Sequence, residues 1–249
     1  MSLPERLVFT DVDETLIRCK SPFDFLRYYH EGRDGPAGAR RAEAWTADLT
    51  ARIAAGLPRE KANRAYHRLW RGTPVAETTA WARRWFDERG TAPDFFVDTT
   101  LRDLRAHREA GAAVSLVSGS FPPLLHLIAE AVGAAHVLCA VLERCGGTWT
   151  GEIIGEPMIG AEKARQIRRL LASRPDVDPA DCFAYGDHAS DLPMLLEVGH
   201  PVVVGDSLAG DSLLGDSLVG GSLLGGSLLG DSLKAEPSPG TAPRSLSAS

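Results

Sequence analysis

Two acidic pairs, far apart in the chain, are the residues best suited to chemistry. The first is Asp11-Val12-Asp13-Glu14-Thr15, directly behind the apolar run Leu7-Val8-Phe9-Thr10. Two carboxylates two residues apart at a strand end can do different work. One can attack and ligate a metal, while the other donates and recovers a proton. A helix start is the alternative for this cluster taken alone, because Asp and Thr are common N-caps. The second pair is Gly186-Asp187-His188-Ala189-Ser190-Asp191, behind the short run 182–185. Such oxygen ligands suit Mg2+, which usually keeps some waters and binds through one or two carboxylates plus a phosphate oxygen. His188 stands between these acids and reads as a hydrogen-bonding neighbour rather than a base.

Two smaller signals lie between the pairs. Ser118-Gly119-Ser120 follows the apolar run 113–117 and precedes a helical stretch. A hydroxyl and exposed backbone N–H groups at a helix start form a phosphate seat; an ordinary cap is the other reading. Lys163 falls early in a helix that begins near Gly160. A cation there gains nothing from the helix macrodipole, which sets it slightly apart from the surface lysine it could otherwise be.

These residues need a scaffold, and the periodicity supplies one. Runs at 7–10, 113–117, 137–142, 182–185 and 201–204 read as strands, with 149–154 as a hairpin arm. Helical stripes at 101–110, 124–132 and 164–171 alternate with them. That alternation predicts an α/β fold: a doubly wound, mostly parallel sheet, Rossmann-like, with its site beyond the carboxyl ends of the strands. Between about 21 and 90 the pattern is helical instead. Ala62, Ala65, Tyr66, Leu69 and Trp70 share one spacing, Val75, Thr78, Trp81, Ala82, Trp85 and Phe86 another, and Pro58 and Pro74 sit where helices can start. This block reads as an inserted helical cap. Four of the five tryptophans fall in it (Trp45, Trp70, Trp81, Trp85), which points to a core of its own.

The bulk numbers exclude several classes. The formal net charge is −6, whereas a nucleic-acid binder is usually basic. No run of about 18 apolar residues offers a membrane span. The opening MSLPERLVFT lacks the pattern of a signal peptide, and Cys19, Cys139, Cys145 and Cys182 form no CxxC pair, so a reducing cytoplasm is expected. Residues 18–94 hold 15 Lys/Arg against 10 Asp/Glu. A basic cap over an acidic core could steer an anionic substrate; arginines on solvated helix faces are the plainer reading.

In their order and spacing the four signals together resemble the haloacid dehalogenase superfamily, in particular its phosphoserine-phosphatase-like branch with a small helical cap after the first motif. The family's DxDxT matches Asp11, Asp13 and Thr15, its serine after a hydrophobic strand matches Ser118, its lysine matches Lys163, and its GDxxxD matches Gly186, Asp187 and Asp191. The resemblance covers roughly 5–204 and implies a core at 1–17 and 96–204 with a cap at 18–95. It implies a phosphatase acting on a small phosphorylated metabolite through an aspartyl-phosphate. Asp11 would be nucleophile and Mg2+ ligand. Asp13 would be the acid and base and would ligate through its carbonyl. Asp187 and Asp191 would bind the metal; Ser118, Gly119 and Lys163 would hold the phosphoryl group. Transfer to an alcohol acceptor and a non-catalytic interaction role are the alternatives. Glu14 stands where many relatives have Gly.

The end of the chain departs from the family pattern. Residues 205–234 repeat a GDSLx-like unit six times, followed by a Pro- and Ser-rich tail to 249. GDSL also names a lipase motif, but a copied unit is not a unique nucleophile. Glycine in every unit costs roughly 0.5–1 kcal/mol each on ordering, and short units bury little in return, so flexible chain is expected, with a solenoid as the alternative. Truncation after Gly210 should therefore preserve solubility, a cooperative melt and phosphatase activity. Aggregation of the shortened protein would show that the first units complete the sheet.

Overall fold

The computed structural model describes residues 6–205. Apart from Gly205, the expected repeat and tail lie outside these residues. The central sheet has five parallel strands in the order β3-β2-β1-β6-β7: β1 is Leu7–Thr10, β2 Ala113–Ser118, β3 His136–Cys139, β6 Phe183–Gly186 and β7 His200–Val203. Both β1 and β2 are buried along their whole length, as parallel strands covered on both faces must be. Alternation then splits β1 between two cores. Val8 joins Leu116, Phe121 and Leu124 on one side, while Leu7 and Phe9 join Val117, Ile167 and Met194 on the other. The doubly wound, mostly parallel α/β sheet is as expected.

Thr10 lies opposite Leu116 on one side and Tyr185 on the other. The chain runs outward from β1 through β2 to β3, then returns to lay β6 and β7 on the opposite flank. The order reverses at β1, and the crevice at such a reversal is where open α/β sheets bind ligands. Helices α4 (Asp98–Glu109), α5 (Pro122–Val132), α6 (Ala161–Ala172) and α7 (Leu192–Leu195) connect the strands.

The helical block contains α1 (Ser21–Ala54), α2 (Arg59–Arg68) and α3 (Val75–Arg89). Pro58 and Pro74 stand immediately before α2 and α3, as the sequence suggests. α1 is two arms broken at Gly35, whose φ of 61° and ψ of −150° only glycine adopts readily, with Pro36 next. The block's tryptophans do not form a core of their own. Phe25 stacks on Trp70 at 5.2 Å and meets Trp85 at 6.1 Å, but it also meets Phe121, at the start of α5, at 6.2 Å. One apolar cluster runs from the tryptophans into the side of the sheet that carries Val8 and Leu116.

The stretch 137–142 is not one strand. β3 stops at Cys139, where the Ala140 N–H turns to the Ser120 carbonyl at 3.1 Å. The chain then leaves the sheet as a separate antiparallel hairpin, β4 (Leu142–Cys145) and β5 (Thr148–Ile153). The segment after α2 bonds to the hairpin: Gly72 N–H donates to Trp149 O at 2.8 Å, Trp149 N–H to Thr73 O at 3.0 Å, and Val75 N–H to Gly147 O at 2.9 Å. The block's arginines lie on solvated faces in ion pairs such as Arg27–Glu43 at 2.9 Å and Arg71–Glu152 at 2.8 Å. Exposed pairs of this kind contribute at most about 1 kcal/mol each. Among the described residues no helix is long and apolar enough to cross a membrane.

Phe121 joins the two parts of this cluster, touching Phe25, His67, Trp70 and Trp149. Phe121→Ala should lower unfolding stability by about 3–5 kcal/mol in urea titration, the usual cost of a large buried ring. His67 is fully buried, and burial lowers its pKa from 6.5 to about 4. The unfolded chain then binds the proton first as pH falls. Stability should be retained above about 6.5 and lost toward 4, by up to roughly 1.4 kcal/mol per pH unit. His67→Gln should flatten that part of the stability–pH curve.

Candidate active site

The two acidic pairs meet at the switch point. Asp11 follows β1 and continues the β1–β6 ladder, its N–H donating to Tyr185 O at 2.9 Å. Asp187 follows β6, and Asp191 closes the short 3-10 turn Ala189–Asp191 behind it. Gly186 permits this packing, since a Cβ there would lie 2.7 Å from the Asp191 Cβ. One carboxylate oxygen from each of Asp11, Asp187 and Asp191 lies within 4.8 Å of the others, and all three residues are buried.

Lys163 enters this acidic group from the first turn of α6. It is 4% exposed, not a surface lysine, and its Nζ donates to Asp11 Oδ1 at 2.6 Å and to Asp191 Oδ1 at 2.7 Å. Two further donors set the other acids. Thr15 Oγ1 donates to Asp187 Oδ1 at 2.7 Å, and the His188 backbone N–H donates to Asp191 Oδ2 at 3.1 Å. The His188 ring accepts the Ser190 N–H at 3.0 Å, so it caps its own turn, the neighbour role read from the sequence.

The charge balance is unequal: three buried carboxylates face one ammonium. Burial pushes the Asp11 carboxyl well above the ordinary carboxylate range, against the attraction of Lys163 and with repulsion from Asp191 and Asp13. Lys163 is held above its ordinary value by Asp11 and Asp191 in spite of burial. A cluster of hard oxygen donors with excess negative charge, closely spaced in a crevice, fits a divalent cation.

Asp13 is placed differently. Its carboxylate is not one of the clustered three, and its Oδ1 accepts the Ser21 backbone N–H at 2.7 Å, at the first residue of α1. Burial raises its pKa to about 6, opposed by the hydrogen bonds from Ser21. Glu14, next to it, has φ 65° and is the one non-glycine residue with positive φ among those described. That conformation costs a residue with a Cβ roughly 1–2 kcal/mol. Its side chain turns to Lys20 at 3.1 Å, and both partners are about half exposed.

Ser118 ends β2 at the same edge of the sheet and is buried. Its Oγ accepts the Ser120 N–H at 3.0 Å. The carbonyl of Gly119 is taken by two side chains of α2: Asn63 Nδ2 at 2.9 Å and His67 Nε2 at 3.2 Å. The structure brings Asp11, Asp187, Asp191 and Lys163 into direct contact or close cluster, and places Asp13, Ser118 and Gly119 at or just after the carboxyl ends of the neighbouring strands β1 and β2. Sequence reading missed Ser21, Asn63 and His67. Ser21-Pro22 is a helix-start signal that could have identified the first; Asn63 and His67 are four apart beside the apolar stripe of Ala62 and Tyr66, a polar pair on a buried face.

Comparison with known proteins identifies relatives of this chain. The sequence profile of the haloacid dehalogenase-like hydrolases matches residues 8–196. A Mycobacterium tuberculosis protein named phosphoserine phosphatase SerB1 is 33% identical over 205 residues, which is 79% of this chain and 63% of that protein. The chain therefore spans less than two thirds of the length of that curated relative. A solved structure from Bordetella pertussis Tohama I, of unknown function, superposes with a TM-score of 0.71 at 25% identity, over 81% of this chain and 90% of that one. A substrate-bound phosphoserine phosphatase superposes at 0.60 with 20% identity, over 82% and 86%. Since the profile runs from the second residue of β1 past the end of α7, and so through every loop that carries a site residue, the chain belongs to the haloacid dehalogenase-like hydrolases.

Proposed function

We propose that this protein is a Mg2+-dependent phosphatase that hydrolyses a small phosphorylated metabolite through an aspartyl-phosphate on Asp11. The observation that carries the reading is that Asp11 and Asp13, two residues apart, stand in different surroundings. Asp11 sits in the acidic cluster against Lys163, and Asp13 is held apart from it by the Ser21 N–H. A nucleophile and a proton carrier two residues apart need such separate environments. The name of the M. tuberculosis relative supports a phosphate ester as substrate.

In this reading a carboxylate oxygen of Asp11 attacks phosphorus while the ester P–O bond breaks. Asp13 gives its proton to the leaving alkoxide. It then takes a proton from the water that attacks the aspartyl-phosphate, releasing inorganic phosphate and restoring Asp11. Lys163 and Ser118, with the backbone of Gly119, hold the phosphoryl oxygens, where charge must be neutralised as the group transfers. Mg2+, when bound by Asp11, Asp187, Asp191 and the carbonyl of Asp13, would supply most of that neutralisation. Residues 18–95 act as a cap over the crevice of the core, 1–17 with 96–204. Four free cysteines suit a cytoplasmic protein.

Asp11→Asn keeps the shape of the side chain and removes the nucleophile. It should abolish hydrolysis of p-nitrophenyl phosphate while leaving the melt near that of the parent, and a chelator should stop the parent enzyme until Mg2+ is restored. Near-parental turnover by Asp11→Asn would refute the assignment.

A further inference from the structure

We propose that Asn63 and His67, on α2, are positioning residues for the Ser118–Ser120 seat and act through the carbonyl oxygen of Gly119. The proposal deepens the phosphatase reading above and rests on it. A carbonyl oxygen only accepts, so both partners must present N–H to it. Asn63 does so with Nδ2 at 2.9 Å, and His67 with a proton on Nε2 at 3.2 Å. Each orientation leaves a buried acceptor, Asn63 Oδ1 and His67 Nδ1, with no protein partner among the described residues. Unpaired buried polar atoms cost stability. One donor would already satisfy the carbonyl, so a contact serving only to pack the helix would be more stable with an apolar side chain at the other position. Two polar residues aimed at one carbonyl, each with its other atom left unpaired, indicate that the placement of that carbonyl matters.

The Gly119–Ser120 peptide transmits this placement to the site. With its carbonyl held, the same peptide unit points the Ser120 N–H at Ser118 Oγ, 3.0 Å away. That bond occupies an acceptor position on the Ser118 hydroxyl and leaves its proton free to donate to a phosphoryl oxygen. Two donors on one carbonyl also polarise the peptide and strengthen its N–H as a donor. The approach is close: a Cβ on residue 119 would stand 3.1 Å from Asn63 Nδ2, so the amide would have to give by a few tenths of an ångström to admit one. α2 is itself anchored, with Arg64 donating to the Gly155 carbonyl at 2.7 Å and Arg68 reaching Glu152 at 3.2 Å. The donors therefore sit on a braced helix, and the cap carries part of the seat's geometry.

The test uses the full chain with Mg2+, p-nitrophenyl phosphate as substrate and orthovanadate as phosphoryl mimic. His67→Leu and Asn63→Leu should each lower kcat about 10–100-fold, the usual scale for losing a residue that orients a ligand-holding group. Each should weaken vanadate binding by a similar factor without lowering the melting temperature in step. His67→Gln, which offers an N–H at nearly the place of Nε2, should recover activity to within about threefold of the parent, a rescue that mere packing would not give. If both leucine variants fold and keep kcat and vanadate affinity within about twofold, the proposal is overturned. It is equally overturned if His67→Gln is no better than His67→Leu. Should His67→Leu misfold, Asn63→Leu, at a half-buried position, decides alone. A parent protein that turns over no phosphate ester would refute the phosphatase reading instead, and vanadate affinity would then judge the positioning role by itself: a drop in the variants supports it, and no drop, or no binding by the parent, overturns it.

Discussion

Three carboxylates share a buried crevice with a single ammonium group, and much of the site's architecture follows from that imbalance. Buried charges are tolerated only when paired and hydrogen-bonded. Lys163 meets two of the acids at once, Thr15 takes the third, and the His188 backbone N–H takes the free oxygen of Asp191. Each of these donors comes from a different connection of the sheet, so the charge cluster cannot form until β1, β6 and α6 are in place. It therefore adds little to stability by itself. Its effect is to demand a specific tertiary arrangement and to leave negative charge that a divalent ion can neutralise.

Position at the switch point makes that demand satisfiable. The carboxyl ends of β1 and β6 diverge on the two sides of the reversal in strand order, and the loops leaving them have room to converge on one point. The strands pack on both faces, so the backbone that aims Asp11 and Asp187 is among the most buried in the molecule. Precision at the site is thus drawn from the core, and the loops that carry the acids are one to five residues long beyond it.

How much of this was legible in the sequence depended on whether the signal was local. Asp11, Asp13, Asp187 and Asp191 follow apolar runs directly, so strand, strand end and acid could be read in one pass. The sheet class followed from alternation alone. Lys163 gave only a weak clue, because burial of an early helical lysine is decided by residues 152 and 28 positions away. The run 137–142 misled because its apolar pattern continues while its partner changes, from β2 to the hairpin's own second strand. The tryptophan-rich block was recognised as helical, but its merger with Phe121 and the sheet side is a tertiary contact that periodicity cannot express. Asn63 and His67 were hidden by the same limit: each is an ordinary polar residue on a helix until the chain brings the Gly119 carbonyl to it.

That merger bears on what the cap can do. A cap with a core of its own could swing on two linkers as a rigid body. Here Phe25, Trp70 and Phe121 belong to one cluster, and α2 bonds to the seat through Gly119 and to the hairpin through Arg64 and Arg68. Opening along α2 would expose large aromatic surface and strip both donors from the carbonyl, whereas the outer arm of α1 beyond Gly35 has fewer buried side chains than the inner one that carries Phe25, Leu26 and Tyr29. In the proposed phosphatase reading, a motion admitting a substrate would cost least where the helical block is least fused to the sheet, with the α2 side as the fixed wall. In the same reading, residues on that wall would hold the Ser118–Ser120 seat in place without having to move with a substrate.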